Sequence, residues 1–76
     1  MKTDRTVTRD FLNRQNLPVE DSHRYAVSWL SADRQAEMWM GLGSTTEEAL
    51  ADAMREAVQS ELAGTECYFV TWKIVD

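Results

Sequence analysis

The sequence predicts a small α+β protein in which one long helix covers one face of a three-stranded sheet. Three observations indicate this fold. Residues 23–42 contain two alternating runs around a polar turn, residues 44–64 carry apolar residues at helical spacing, and residues 67–75 are rich in β-branched and aromatic residues. A length of 76 residues suits a single domain with one thin core, and we expect the polar residues 1–5 to be flexible.

The first predicted element is a short helix within TVTRDFLNRQN. Thr6 or Thr8 can cap its N-terminus, and Phe11 and Leu12 lie on one side of it. We expect this helix to end before Pro18, because the residue that precedes a proline avoids helical backbone angles.

A β-hairpin is predicted next. Its strands are HRYAVSWLS (23–31) and QAEMWMGL (35–42), and the turn residues SADR separate them. The second strand is the less regular of the two, because methionine is not a strong strand former.

The long helix is the best defined element of the sequence STTEEALADAMREAVQSELAG. The apolar residues that we expect to face the sheet recur at helical spacing: Leu50, Ala53, Met54, Ala57, Val58 and Leu62. Thr45 with Glu48, or Ser44 with Glu47, provides a capping box at the N-terminus. Gly64 is expected to end the helix.

The last strand is CYFVTWKIV (67–75). One of its faces carries Tyr68, Val70, Trp72 and Ile74, and we expect that face to meet the long helix. The element order is then helix, strand, strand, helix, strand (αββαβ). A right-handed crossover places the last strand parallel to the second, with the first strand between them, which gives the spatial order 2-1-3.

The segment GLGSTT at the start of the long helix invites comparison with a phosphate-binding loop, since a helix N-terminus after glycines can bind phosphate. Glu47 and Glu48 would place two negative charges at that point, and no lysine follows the glycines. We therefore interpret Gly41 and Gly43 as residues that let the backbone turn from strand to helix.

No residue pattern predicts catalysis. His23 and Cys67, the only histidine and cysteine, are 44 residues apart, so a metal site would need carboxylates to complete it. Asp21, Ser22 and His23 are adjacent in sequence and cannot converge as a catalytic triad. We expect no enzyme activity and no cofactor.

The charge distribution favours a basic partner. Residues 25–76 hold three basic residues against nine acidic residues, a net charge of −6, within a total of −5. Such a field repels nucleic acid and membrane surfaces and attracts basic proteins. No apolar run has the length of a membrane span, and the first residues lack the apolar segment of a secretory signal. Because Cys67 is the only cysteine and can form no internal disulfide, we expect a protein of the reducing cytoplasm.

Two surfaces are candidates for binding a protein partner. The first is the polar side of the long helix, with four acidic residues: Glu47, Glu48, Asp52 and Glu56. It is either an ordinary solvated face or a docking surface for a basic protein. The second is the sheet face opposite the long helix, where we predict Trp39 and Phe69. The first helix covers that face through Phe11 and Leu12, or a partner or second copy does, as in a homodimer.

In size, acidity and element order, residues 23–76 resemble phage-encoded anti-CRISPR proteins. Members of that group are small cytoplasmic inhibitors that bind Cas proteins without catalysis, and several carry acidic patches that occupy DNA-binding grooves. The resemblance implies a protein that docks acidic side chains on the basic nucleic-acid-binding surface of a Cas effector complex in the host cytoplasm and blocks DNA binding.

A second resemblance leads to an alternative function. GLGSTTEEALADAMREAV is similar to the segment of HicB-type antitoxins in which a hairpin leads into a Thr-Glu-Glu-Ala-Leu helix. Those proteins neutralise a basic RNA-cleaving toxin. The strands that usually precede that hairpin are replaced here by TVTRDFLNRQN. This alternative implies an interaction module that binds its partner through an apolar sheet face.

Overall fold

The computed structural model describes residues 5–60 and 66–76. The helices and strands of this part follow in the order β1 (Thr6–Thr8), α1 (Arg9–Arg14), β2 (Tyr25–Ser31), β3 (Glu37–Gly43), α2 (Thr46–Gln59) and β4 (Cys67–Val75). The α+β class is confirmed. The expected flexibility of residues 1–5 falls largely outside the described residues, but Arg5 is held, since its carbonyl oxygen accepts a hydrogen bond from the Lys73 N–H at 2.9 Å.

The strands form one mixed sheet in the order β1-β4-β2-β3. β2 pairs antiparallel with β3 and with β4, so β3 and β4 run in the same direction, and β1 pairs parallel with β4. The prediction of a three-stranded sheet is therefore wrong in the number of strands. The TVT segment, expected within the first helix, forms β1, because threonine and valine favour extended angles and β4 offers an edge to pair with.

The first helix is shorter than the predicted segment. The Thr8 hydroxyl oxygen accepts a hydrogen bond from the Phe11 N–H at 3.1 Å, so Thr8 is the N-cap and Thr6 belongs to β1. Asn16 has a φ of 64°, in the left-handed region that often follows the last residues of a helix. α1 therefore spans only the six residues Arg9–Arg14.

The hairpin turn is stabilised by its own side chains. The Asp33 carboxylate accepts hydrogen bonds from the Ser31 hydroxyl at 2.6 Å and from the Gln35 N–H at 3.0 Å. Both bonds favour the charged carboxylate, the hydroxyl bond most strongly, and lower the pKa of Asp33 below its usual value. Arg34 adopts a φ of 62°, which completes the tight connection between β2 and β3.

The sheet has an apolar cluster on each face. The cluster under α2 is formed by buried residues of β2, β3 and α2: Val27, Trp29, Met40, Ala49, Ala53 and Ala57. The cluster on the opposite face is formed by buried residues of β1, α1, β2 and β4: Val7, Leu12, Ala26 and Ile74. α2 and α1 therefore cover opposite faces of the sheet.

The prediction that Trp72 and Ile74 of β4 lie on the face that meets α2 is wrong. Trp72 and Ile74 belong to the cluster opposite α2, whereas Phe69 packs against the cluster under α2. β4 lies between β1 and β2 and carries apolar side chains on both faces. For such an interior strand, alternation does not identify which face meets the helix.

α2 lies very close to β3, and the two glycines of β3 permit this. A Cβ on Gly41 would lie 2.4 Å from the Ala49 carbonyl oxygen, and one on Gly43 would lie 2.5 Å from the Ala49 nitrogen. Neither glycine has a positive φ. The interpretation of these glycines as turn residues is therefore wrong: they are required because any side chain would collide with the helix backbone.

α2 begins at the predicted cap. The Thr45 hydroxyl oxygen accepts a hydrogen bond from the Glu48 N–H at 3.1 Å. The helix has 14 residues, and Ser60 is its C-cap. The predicted C-terminal residue Gly64 and the predicted core residue Leu62 lie outside the described residues.

Candidate partner-binding surfaces

The four acidic residues of the predicted docking surface do not share one side of α2. Nine positions separate Glu47 from Glu56, which is about two and a half helical turns, so these two side chains point in opposite directions. Glu48, Asp52 and Glu56 recur every four residues and form a row. This row is termed the acidic flank.

Two carboxylates of the acidic flank already have partners within the protein. Asp52 accepts a hydrogen bond from the Leu42 N–H at 3.0 Å with one oxygen and pairs with the Arg55 guanidinium through the other. Glu48 accepts hydrogen bonds from the N–H of Ser44, at 3.0 Å, and from its hydroxyl. Glu56 is exposed, and no residue of the described ranges forms a hydrogen bond or ion pair with its side chain.

The contacts of Glu48 hold it in the charged state. The Ser44 hydroxyl makes the largest contribution, followed by the Ser44 N–H, and together they lower the pKa of Glu48 below its usual value. With the Thr45 cap, this carboxylate satisfies donors at the start of α2 and complements the helix dipole. Glu48 therefore stabilises the strand-to-helix joint, and Glu56 is the member of the acidic flank whose side chain has no partner among the described residues.

A groove follows the free edge of β3, which is the outer strand of the sheet on this side. It consists of two adjoining hollows of about 650 and 420 Å³ that share His23, Leu42 and Asp52. The acidic flank and Ser60 form one wall. The floor and the other wall are formed by residues of β3 and of the segment 17–23: Met38, Trp39, Met40, Leu42, Leu17, Pro18 and His23. This feature is termed the edge groove.

The wall formed by segment 17–23 is held in place by hydrogen bonds. The Arg9 guanidinium donates to the Glu20 carbonyl oxygen at 2.7 Å and pairs with Asp76 at 3.1 Å. The Glu20 N–H donates to His23 Nδ1 at 2.9 Å, and Leu17 packs against the cluster opposite α2. The edge groove is therefore formed before any partner binds, which lowers the entropic cost of binding.

Trp39 and Phe69, which are predicted to share one face of the sheet, lie on opposite faces. Trp39 lies on the face opposite α2, where its ring centroid is 5.8 Å from that of Phe11 and 5.3 Å from that of Trp72. Phe69 lies on the other face, half-buried beside the α2 cluster, so its predicted position is wrong. Leu12 is fully buried, so α1 covers part of the face on which Trp39 lies. Trp39 retains one open side in the edge groove.

An exposed apolar stripe on α2 was not anticipated. Leu50, Met54 and Val58, which are predicted core residues, are 37%, 52% and 64% exposed. Ala53 and Ala57 are buried as predicted, and with Ala49 they form the row of three alanines that α2 turns to the sheet. The sequence does contain a signal for this buried face. The alanines recur every four residues along α2 and follow the two glycines of β3, and small residues on both elements allow the helix to lie close to the strand.

The described residues contain no group of three or more histidine, cysteine or acidic side chains arranged to hold a metal ion. Cys67 is a half-buried free thiol beside the α2 cluster. Neither α1 nor α2 has the length and apolar character of a membrane-spanning helix. No family model, curated protein or solved structure matches this chain.

Proposed function

We propose that this chain is a non-enzymatic inhibitor that binds a basic protein surface, in particular the nucleic-acid-binding surface of a Cas effector complex, and blocks DNA binding there. The observation that carries the proposal is the acidic flank along an apolar groove. Lysine and arginine have apolar stems and charged ends, and a carboxylate above an apolar floor matches both parts.

Charge supports this kind of partner. Residues 25–76 carry a net charge of −6, and Arg55 is the only basic residue of α2. A field of this sign accelerates encounter with a basic surface. The lysine and arginine side chains that bind phosphate groups of DNA would be occupied by the carboxylates of this protein, so DNA and inhibitor would compete.

The test compares two charge reversals that change the net charge equally. Glu56→Lys alters the free carboxylate of the edge groove, and Glu47→Lys alters a carboxylate on the opposite side of α2. DNA binding by a purified CRISPR surveillance complex is measured by fluorescence anisotropy over a salt series. We expect Glu56→Lys to weaken inhibition by about fivefold at low salt and less at high salt, and Glu47→Lys to retain wild-type inhibition.

Two results would contradict the proposal. One is wild-type protein that leaves DNA binding unchanged at every salt concentration. The other is equal inhibition by both variants with no salt dependence, which would remove the acidic flank from the mechanism. Reversal of Glu48 or Asp52 is unsuitable for this test, because each also stabilises the fold.

A second candidate function is that of an antitoxin-like module, and the exposed stripe of Leu50, Met54 and Val58 favours it. Three apolar side chains at helical spacing are typical of a surface that packs against a partner. If this stripe binds an RNA-cleaving toxin, Met54→Asp should abolish neutralisation of RNA cleavage, while Glu56→Lys should have no effect. Loss of neutralisation in Glu56→Lys but not in Met54→Asp would indicate that the acidic flank, and not the apolar stripe, binds the partner.

A further inference from the structure

We infer that the edge groove binds an extended segment of the partner as an additional strand on β3, and that basic and apolar residues alternate along that segment. This inference rests on the proposed function, since it takes a basic protein as the partner. It adds the conformation of the bound segment and the residue pattern that the groove selects.

The unpaired edge of β3 provides backbone groups for this interaction. Among the described strands β3 pairs only with β2, through Glu37–Gly43, and this pairing has a bulge at Met40, since Val27 lies opposite Gly41 and Ser28 opposite Trp39. An outer strand leaves the N–H and C=O groups of alternate residues without a strand partner, and extended peptides bind such edges by forming a further ladder. Seven residues span roughly 20 Å, which is sufficient for a segment of about six residues.

One contact within the groove shows that this edge can be reached by a hydrogen-bond acceptor. At the free edge of β3, on the side away from β2, the Leu42 N–H donates a hydrogen bond to the Asp52 carboxylate at 3.0 Å. Asp52 thus stands where the carbonyl oxygen of a neighbouring strand would be. When a strand binds, one of its carbonyl oxygens accepts the hydrogen bond from the Leu42 N–H. Asp52 is then released to pair with a basic side chain of the bound segment.

The two walls of the groove determine the residue pattern. Successive side chains of a strand point to opposite faces of the sheet. On the α2 side they meet Asp52 and Glu56, and on the other side they meet Leu17, Pro18 and Trp39. A segment with lysine or arginine at every second position and apolar residues between them matches both walls.

A second copy of this chain fits the groove poorly. Antiparallel pairing of two β3 edges would place both acidic flanks next to each other on the same face of the joined sheet. Each flank carries three carboxylates, and Arg55 is the only cation on each α2. Repulsion between like charges at this distance disfavours such a dimer.

The test uses fluorescein-labelled peptides with the full-length protein. One peptide alternates lysine and valine over seven residues, and a second has the same composition with the lysines grouped together. Anisotropy of the label reports binding, and so does a change in the tryptophan emission, to which Trp39 in the groove contributes together with Trp29 and Trp72. We expect the alternating peptide to bind about tenfold more tightly than the grouped peptide, and Glu56→Lys, but not Glu47→Lys, to weaken it about fivefold.

Backbone pairing is tested by N-methylation. Two versions of the alternating peptide carry N-methyl groups on alternate residues, one version on the lysines and one on the valines, so each blocks one edge of the bound strand. Strand addition predicts that one version loses about tenfold in affinity and the other does not. Equal affinity of both versions with the unmodified peptide would overturn the inference, because a helical or purely electrostatic mode has no such requirement.

Failure of this inference is distinguishable from failure of the proposed function. If wild-type protein inhibits DNA binding but does not distinguish the alternating from the grouped peptide, strand addition is wrong and the inhibitor proposal stands. If the alternating peptide binds as expected and DNA binding is not inhibited, the proposed target is wrong. Dimers that persist at every concentration of the alternating peptide and prevent its binding, as seen by sedimentation velocity, would identify a second copy as the occupant and overturn the inference.

Discussion

Replacement of Gly41 by alanine tests the close packing of α2 on β3. The new Cβ would lie 2.4 Å from the Ala49 carbonyl oxygen, 2.6 Å from the Ala53 nitrogen and 2.8 Å from the Ala53 Cβ. Ordinary contact begins at 3.4 Å, so α2 must move away from β3 by about 1 Å. Two of the three atoms belong to the helix backbone, and no change of side-chain rotamer relieves those contacts.

The expected cost follows from this displacement. A radial gap of about 1 Å removes up to about half of the dispersion energy between packed atoms, and overpacking of a core costs about 1–3 kcal/mol. We therefore expect Gly41→Ala to lower the free energy of unfolding by about 2–4 kcal/mol, and the melting temperature of a protein of this size by at least about 10 °C. Urea and thermal unfolding followed by far-UV circular dichroism measure both quantities.

Whether Gly41→Ala lowers or raises stability shows why glycine is needed at this position. A steric collision with α2 predicts a loss of stability, whereas a position that merely tolerates glycine predicts a gain. Where alanine fits the native backbone angles without a collision, a change from glycine to alanine stabilises a protein by about 0.4–1 kcal/mol. Gly41 has no positive φ, so an unchanged or raised melting temperature would refute the packing explanation. The double change Gly41→Ala with Ala53→Gly should recover only part of the loss, because the contacts with the helix backbone remain.

Two further predictions concern hydrogen bonds. Because the folded-state pKa of Glu48 is lowered, its contribution to stability is present above its ordinary value near 4.5 and is lost as the pH falls below that value. The difference in melting temperature between wild type and Glu48→Gln should therefore decrease in acid, and a difference that is constant with pH would contradict this. Ser28 is fully buried and accepts a hydrogen bond from Trp72 Nε1 at 3.0 Å, so Ser28→Ala should cost about 1–2 kcal/mol. In a double-mutant cycle with Trp72→Phe, purely additive effects would show that this bond contributes nothing.

The features that the sequence predicts correctly depend on local signals. The cap at Thr45 and the hairpin turn around Asp33 follow from side chains that bond to backbone groups a few positions away. The limits of β4 also agree, because Cys67–Val75 is a continuous run of strand-forming residues. Each of these requires information from only a short window of sequence.

The features that the sequence does not predict depend on distant contacts. β1 has three residues, and its strand conformation comes from pairing Val7 with Ile74. The buried face of α2 is set by how closely Ala53 can approach Gly41, and this approach leaves Met54 exposed. Hydrophobic periodicity alone places Met54 in the core, since it ranks residues by polarity and does not include the distance between backbones.

The candidate site shows the same division. The row of Glu48, Asp52 and Glu56 can be derived from helical periodicity. The bond from the Leu42 N–H to Asp52 cannot, since it depends on which edge of the sheet α2 lies beside. The sequence therefore indicates an acidic helix, while the edge groove is a property of the folded chain.

The position of β4 has a consequence for how the chain folds during synthesis. β4 follows every other strand in sequence but lies inside the sheet, with β1 on one side and β2 on the other. The hairpin and α2 can form from neighbouring residues, whereas Val7 must wait for a partner 67 positions later. Contacts of such sequence separation slow folding. β1 therefore lacks its pairing strand until residues 67–75 have been synthesised, although β1 precedes them in the chain.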